Sequence, residues 1–144
     1  MIEKIDGSND EKKNKSRFTR ANQVVMSYHD FVCYSAVDQN SGLQVFWYEF
    51  INDKMRPERI EQGFKQLQQA LKITSPHLLN ILDVSQTVVP PRFCVITEAI
   101  KGPTLFDYLH SIESPPSMRI IIKWFKLLAL AVQALHKGNI THGF

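Results

Sequence analysis

Residues 41–50 read "SGLQVFWYEF", and the fold turns on this stretch. Ser41-Gly42 closes a dense turn signal, "DQNSG", that begins at Asp38. Such residues supply the local hydrogen bonds and backbone freedom that turns require. The residues after the turn are β-branched and aromatic, suited to a pleated, half-buried surface. Ahead of it, "DFVCYSAVD" (Asp30 to Asp38) has the same enrichment, so the two segments predict a hairpin. Val24 to Met26 predict a further strand. Tyr48 sits in the middle of the second hairpin strand, and its phenol is neutral near pH 7.

Past the hairpin, "RPERIEQGFKQLQQALKI" carries Pro57 where a first helical turn tolerates it and acidic residues close to its start. Ile60, Phe64, Leu67 and Leu71 step by four, three and four, which defines one helix face. Gly63 weakens this helix by roughly 1 kcal/mol relative to Ala, but the period survives. Pro76 in "TSPH" disfavours helical geometry at Ser75 and ends the helix. "LLNILDVSQTVV" and "RFCVITEAI" predict two more strands, separated by Pro90-Pro91. "KGPT" reads as a loop, "LFDYLHSI" as a short helix and "ESPPS" as a linker. "MRIIIKWFKLLALAVQALHKG" is then a long helix stopped by Gly138. Taken as elements, the order is α+β.

Composition narrows the classes. A chain of 144 residues is long enough for one domain with a core and short for two. Hydrophobic content of 44% and charged content of 22% are globular values, which argues against a disordered chain. The first twenty residues interleave Lys with Asp and Glu and lack an apolar period. Residues 1–22 are therefore read as a solvated polar tail rather than a nucleic-acid arm. A nucleic-acid-binding domain would rest on the net charge of +3 alone, without aromatic residues interleaved among basic ones on one face. Cys33 and Cys94 make neither metal spacing nor a disulfide framework, so buried free thiols in a reducing, cytoplasmic setting are expected. His29, His77, His110 and His136 show no metal spacing, and Asp107 and Glu113 read as solvated helix residues. The N-terminus has no apolar core of a signal peptide. The longest apolar run is broken by Lys123 and Lys126 and is too short for a membrane span.

Local sequences make the order more specific. "YSAVDQNSGLQVFWYEF" resembles the second and third strands of a protein kinase small lobe, the "VYKAxDxxTGxxVAIK" region. "SPHLLNILDV" resembles the "HPNIVxLxD" segment after the αC helix. "CVITEAIKGPTLFDYL" is similar to strand five, the hinge and the "GSLFDYL" start of the next helix. "ALHKGNITHGF" is similar to "YLHSRGIVHRDL", which enters the catalytic loop. The resemblance implies a small lobe of twisted antiparallel sheet plus αC over residues 23–98. It also implies a hinge and the first helices of a truncated large lobe over residues 99–144. Trp47 followed by a residue other than lysine, Glu49 and Trp124 resemble the with-no-lysine kinases. His142-Gly143 resembles the nuclear receptor-binding protein pseudokinases more closely still.

Phosphoryl transfer depends on holding phosphates, metal and nucleophile in line. In the kinase pattern a strand lysine grips the phosphates and an αC glutamate orients it. The resemblance puts Tyr48 at the lysine position and Leu67 at the glutamate, or Gln66 if the register slips by one. A phenol cannot serve as the point charge. Met26, Tyr28 and Phe31 fall where three glycines would let backbone amides approach the phosphates. Phe31 also matches the loop position from which with-no-lysine kinases present a substitute lysine. Phe144 falls at the catalytic aspartate, and the metal-binding asparagine and Asp-Phe-Gly segment would lie beyond this chain. The loss of four features, the lysine, the glutamate, the glycine loop and the catalytic aspartate, thus implies a catalytically inactive domain with no metal site and no required cofactor. Val45, Thr97, Glu98 and Ile100 would remain as a residual adenine pocket for weak ATP binding. The rival reading is a divergent kinase whose catalytic and metal-binding segment is supplied elsewhere.

The final helix bears on partners. Ile121, Trp124, Leu128 and Val132 form one stripe, and Ile122, Phe125, Leu127 and Leu130 are apolar on other sides. A helix apolar nearly all round expects burial on most faces. Either a protein partner covers this surface or the chain is part of a longer product.

Overall fold

Asp38 organises the hairpin turn. In the protein, seen as a computed structural model that describes residues 17–51, 57–88 and 91–141, its Oδ1 accepts from the Asn40 amide at 3.0 Å. Its Oδ2 accepts from the Ser41 hydroxyl at 3.1 Å. The Gly42 amide donates to the Asp38 carbonyl at 2.8 Å with Gly42 at φ +71°, a conformation that costs glycine least. Arg17 clamps the same carboxylate from the chain entry, with Nε at 3.1 Å and Nη2 at 2.9 Å. This bidentate pair holds the Asp38 carboxyl down to about 2, helped by the Asn40 and Ser41 bonds and opposed by burial.

Five antiparallel strands follow from this hairpin: β1 (Phe18–Ser27), β2 (Phe31–Asp38), β3 (Gln44–Ile51), β4 (Ile81–Val88) and β5 (Pro91–Glu98). They lie in the order β1-β2-β3-β5-β4. β1 is longer than the sequence suggests. It starts at Phe18, inside the stretch read as a polar tail, because Phe18 is 5% exposed and joins the core. The tail boundary at residue 22 therefore moves back to at least Phe18. Between Arg20 and Val24 the pairing with β2 is irregular, and the bulged edge hides the strand period from a reading of the sequence.

Side chains alternate across each strand, so the register assigns them to two faces. One face carries the cluster Phe18, Ala36, Val45 and Ile96, with Trp47 and Leu82 packed on it. Ile96 is 2% exposed, and burying such a side chain stabilises the fold by about 1.5–3 kcal/mol. At the rim of this face Arg20 stacks over the Tyr34 ring at 4.1 Å and pairs with Glu49 at 2.9 Å.

The opposite face is capped by helix α1 (Pro57–Ala70). Its Ile60 is buried, and Phe64, Leu67 and Leu71 are half-buried, as the four-three-four spacing predicts. Phe64 stacks on Phe93 with ring centres 5.9 Å apart. Gly63 faces the Phe93 ring, and a Cβ there would meet it at an ordinary contact distance of 3.6 Å, so the close approach of the helix does not depend on glycine. Cys33 and Cys94 are both free and buried, on opposite faces of the sheet by register.

Two helices complete the chain, α2 (Leu105–Ser111) and α3 (Met118–Lys137). Thr104 and Asp107 form a capping box at the start of α2, satisfying two amides that a helix end would leave without partners. α3 ends in a tight reversal. The Gly138 amide donates to the Leu135 carbonyl at 2.9 Å, and the Ile140 amide donates to the same carbonyl at 3.0 Å. Asn139 takes the left-handed conformation, φ 56°. Gly138 lies directly against Ile73, with no room for a Cβ. Tyr108 of α2 meets Trp124 of α3 edge to face at 6.0 Å. α3 nevertheless has no fully buried residue. No helix of the described residues is long and apolar enough to cross a membrane, and no group of three or more potential ligands there could hold a metal ion.

Candidate functional site

Tyr48 lies at the centre of the α1-facing side of the sheet, between Cys33 of β2 and Val95 of β5 in register. The alternation that places it also places Phe46 on the same side, opposite Thr97. Phe46 went unremarked in the sequence, although its spacing of two from Tyr48 is the signal that would find it.

An aromatic series runs from Tyr48 to the β1–β2 turn. Phe31 stands 5.7 Å from Tyr48, 5.6 Å from Phe50 and 5.1 Å from Tyr28, measured between ring centres. The turn is closed by the Tyr28 amide donating to the Phe31 carbonyl at 2.9 Å. The segment matched to a glycine-rich loop is thus a tight reversal that lays Phe31 against Tyr48. Tilted rings at these separations are favourable arrangements, so the contact helps to hold the turn against the sheet.

The electrostatics agree with the packing. Burial, then the neighbouring Cys33, push the Tyr48 phenol up to about 12, with Thr97 acting the other way. Burial likewise raises the Cys33 thiol. Among the described residues the groups acting on Tyr48 are a thiol and a hydroxyl, and neither supplies a positive charge; Lys54 lies outside the described residues. Lys65, on α1, pairs with Glu61 at 2.7 Å and is mostly exposed. Leu67 is half-buried on the inner side of α1, whereas Gln66 is exposed. No acidic side chain occupies either position. Phe144 and His142 lie outside the described residues.

The hinge residues separate. Thr97 is 3% exposed and its hydroxyl donates to the Glu98 carbonyl at 3.0 Å. Glu98 is fastened to Asn80 twice: its carboxylate accepts from the Asn80 amide at 2.8 Å, and its own amide donates to the Asn80 carbonyl at 3.1 Å. Ile100 is 59% exposed. Val45 pairs with Glu98 in register but belongs to the core cluster on the other face of the sheet. The structure therefore brings Thr97, Phe46 and Tyr48 together and sets Val45 apart from them.

Of the stripe expected to meet a partner, Ile121 and Trp124 are half-buried, while Leu128 is 57% and Val132 38% exposed. Phe125, at 68% exposure, lines an open concavity with Leu128, Ala129 and Val132.

Comparison with known proteins places this geometry. No family model matches the chain. A probable serine/threonine-protein kinase of Dictyostelium discoideum is 27% identical over 92 residues, 64% of this chain and 10% of that protein. Serine/threonine-protein kinase STY46 of Arabidopsis thaliana is 23% identical over 91 residues, 61% of this chain and 16% of that protein. The crystal structure of Rad53 in complex with AMP-PNP superposes with a TM-score of 0.71 at 14% identity, over 88% of this chain and 32% of that one. The chain thus has an α+β, protein kinase-like small-lobe fold, and the match spans 10% and 16% of these two curated relatives' lengths.

Proposed function

We propose that this kinase-like domain transfers no phosphoryl group and serves as a protein-binding or scaffold module. The observation that carries the reading is Tyr48. A neutral phenol, held neutral by burial and packed on Phe31, stands where phosphoryl transfer needs a cation on the phosphates. Leu67 supports the reading, since it offers no carboxylate to orient a cation. Phe46 supports it further by setting an aromatic ring beside the hinge threonine. The exposed stripe of α3, with Leu128 and Val132 at its centre, is the surface through which such a module would act. No cofactor is required by this role, and residual adenine contact would be confined to the hinge backbone.

A second reading is a divergent serine/threonine kinase whose catalytic and metal-binding segment lies elsewhere. The small share of each relative that the chain matches favours it. The two readings part in one experiment, thermal unfolding with and without ATP and Mg²⁺ combined with a phosphotransfer assay on a generic substrate. The module reading expects no metal-dependent shift and no transfer. Saturable turnover, removed by substitution at Thr97, would establish the kinase reading instead.

A further inference from the structure

A second polar site lies away from Tyr48 and shares no residue with it. The segment after α1 and the last turns of α3 enclose a concavity of about 480 Å³, lined by Lys72, Thr74, Ser75, His77, Gln133 and Lys137 among others. Its lining holds three basic side chains and no carboxylate. Among the described residues neither Lys72 nor Lys137 has an ion-pair partner. Like charges left together without a counter-charge repel, and an anion between them relieves that cost.

Lysines near helix C-termini often serve to cap the last carbonyls. That role is already filled by the backbone here. At the end of α3 the carbonyls of Ala134, Leu135 and His136 accept from the amides of Gly138, Asn139 and Ile140. At the end of α1 those of Leu67, Gln69 and Ala70 accept from Leu71, Lys72 and Ile73. Most of the terminal carbonyls are thus taken without the lysine side chains, and neither ammonium group is held by an ion pair among the described residues. Hydroxyl donors stand beside them: Ser75 accepts from the His77 amide at 3.3 Å, which leaves its own proton to donate. The contact of Gly138 with Ile73 joins the two walls.

We propose that this concavity binds a phosphate group, either as the free ion or carried on a phosphorylated peptide. Two lysines, a histidine and two hydroxyls around one opening match an oxyanion that takes several charge-assisted hydrogen bonds. The proposal goes beyond the module reading and does not depend on it, because Tyr48 contributes nothing to this site.

The test uses the full chain. Thermal unfolding is followed in sodium phosphate and in sodium chloride at matched ionic strength, and with a short phosphoserine peptide and its unphosphorylated twin. The expected result is a phosphate-specific rise in melting temperature. Lys72→Met or Lys137→Met should each weaken the apparent affinity about tenfold, and the corresponding arginine variants should retain it. A shift with the phosphopeptide but not its twin identifies the peptide as carrier, whereas a shift with inorganic phosphate alone identifies the free ion. An equal response in the methionine variants, or none in the wild type, overturns the proposal. If a methionine variant fails to fold, amide chemical shifts of the wild type decide. They must move at Lys72, Thr74, Ser75, His77 and Lys137 on phosphate addition, and movement centred elsewhere also overturns it.

Discussion

The sheet and the α3 helix are both rich in apolar residues and opposite in surroundings. β5 buries five residues in succession, Phe93 to Thr97, between the two covered faces of the sheet. α3 is apolar over most of its length yet buries none. The difference is one of completion. β5 sits between β3 and β4, with α1 above and the Phe18 cluster below, so each side chain meets a neighbour within the described residues. α3 touches α2 through Trp124 and the α1–β4 segment through Gly138, and its remaining faces are open. Hydrophobic stabilisation follows area removed from water, so the two elements should respond very differently to the same truncation.

The largest effect expected is at the sheet. Ile96→Ala should cost about 2–5 kcal/mol of unfolding free energy in denaturant titrations. A value under about 0.5 kcal/mol, the range of ordinary surface substitutions, would break the contrast. Next is the joint between the regions. Gly138→Ala places a methyl group on Ile73 and should destabilise by about 1–3 kcal/mol. No change would mean that α3 is not docked there.

Two pH predictions sharpen the account of the sheet. The Asp38 carboxyl lies near 2 against an ordinary 3.8, so its contribution is fully present above about pH 4 and is lost as pH falls through 2. Acid unfolding of Asp38→Asn should lose this component of the slope. The Tyr48 phenol lies near 12 against an ordinary 10.0. Between these values the folded chain keeps a proton that the unfolded chain releases, so stability falls as pH rises from 10 to 12. Tyr48→Phe should flatten that alkaline slope and remove one late-titrating tyrosinate from the absorbance spectrum. A tyrosine titration that ends by pH 10.5 in the folded wild type would contradict the buried phenol.

The smallest effect belongs to α3. Leu128→Ala, at a side chain 57% exposed, should change stability by no more than about 0.5 kcal/mol. On the proposed module reading, a protein partner added to the assay should make the same substitution cost several times more, and an unchanged cost would count against a partner on this helix.

Much of the fold was legible because its signals are local. The Asp38–Gly42 turn, the four-three-four face of α1 and the Gly138 stop each rest on residues within a few positions of one another. β1 was legible only in part, because its irregular pairing breaks the alternation and the burial of Phe18 depends on strands formed later in the chain. The site divides in the same way. Tyr48 and Leu67 were singled out from matched segments, and the structure places Tyr48 on the α1-facing side of the sheet and Leu67 on the inner side of α1. Phe46 needed the strand period to be carried two residues back. Val45 was grouped with Thr97 although the strand register puts the two on opposite faces. The clamp of Arg17 on Asp38 and the presence of Lys72 and Lys137 on one concavity involve residues far apart in the chain, which no local pattern encodes.

The most direct measurement of the central claim compares equilibrium binding of adenosine with that of ATP plus Mg²⁺ to the same protein. Among the described residues the groups acting on Tyr48 are a thiol and a hydroxyl, both neutral, so the phosphates gain no cation from them and ATP should bind no more tightly than adenosine. An affinity for ATP with Mg²⁺ more than about tenfold above that for adenosine, lost on replacing a residue of the Tyr48 face, would show that a phosphate grip exists there and would contradict the account.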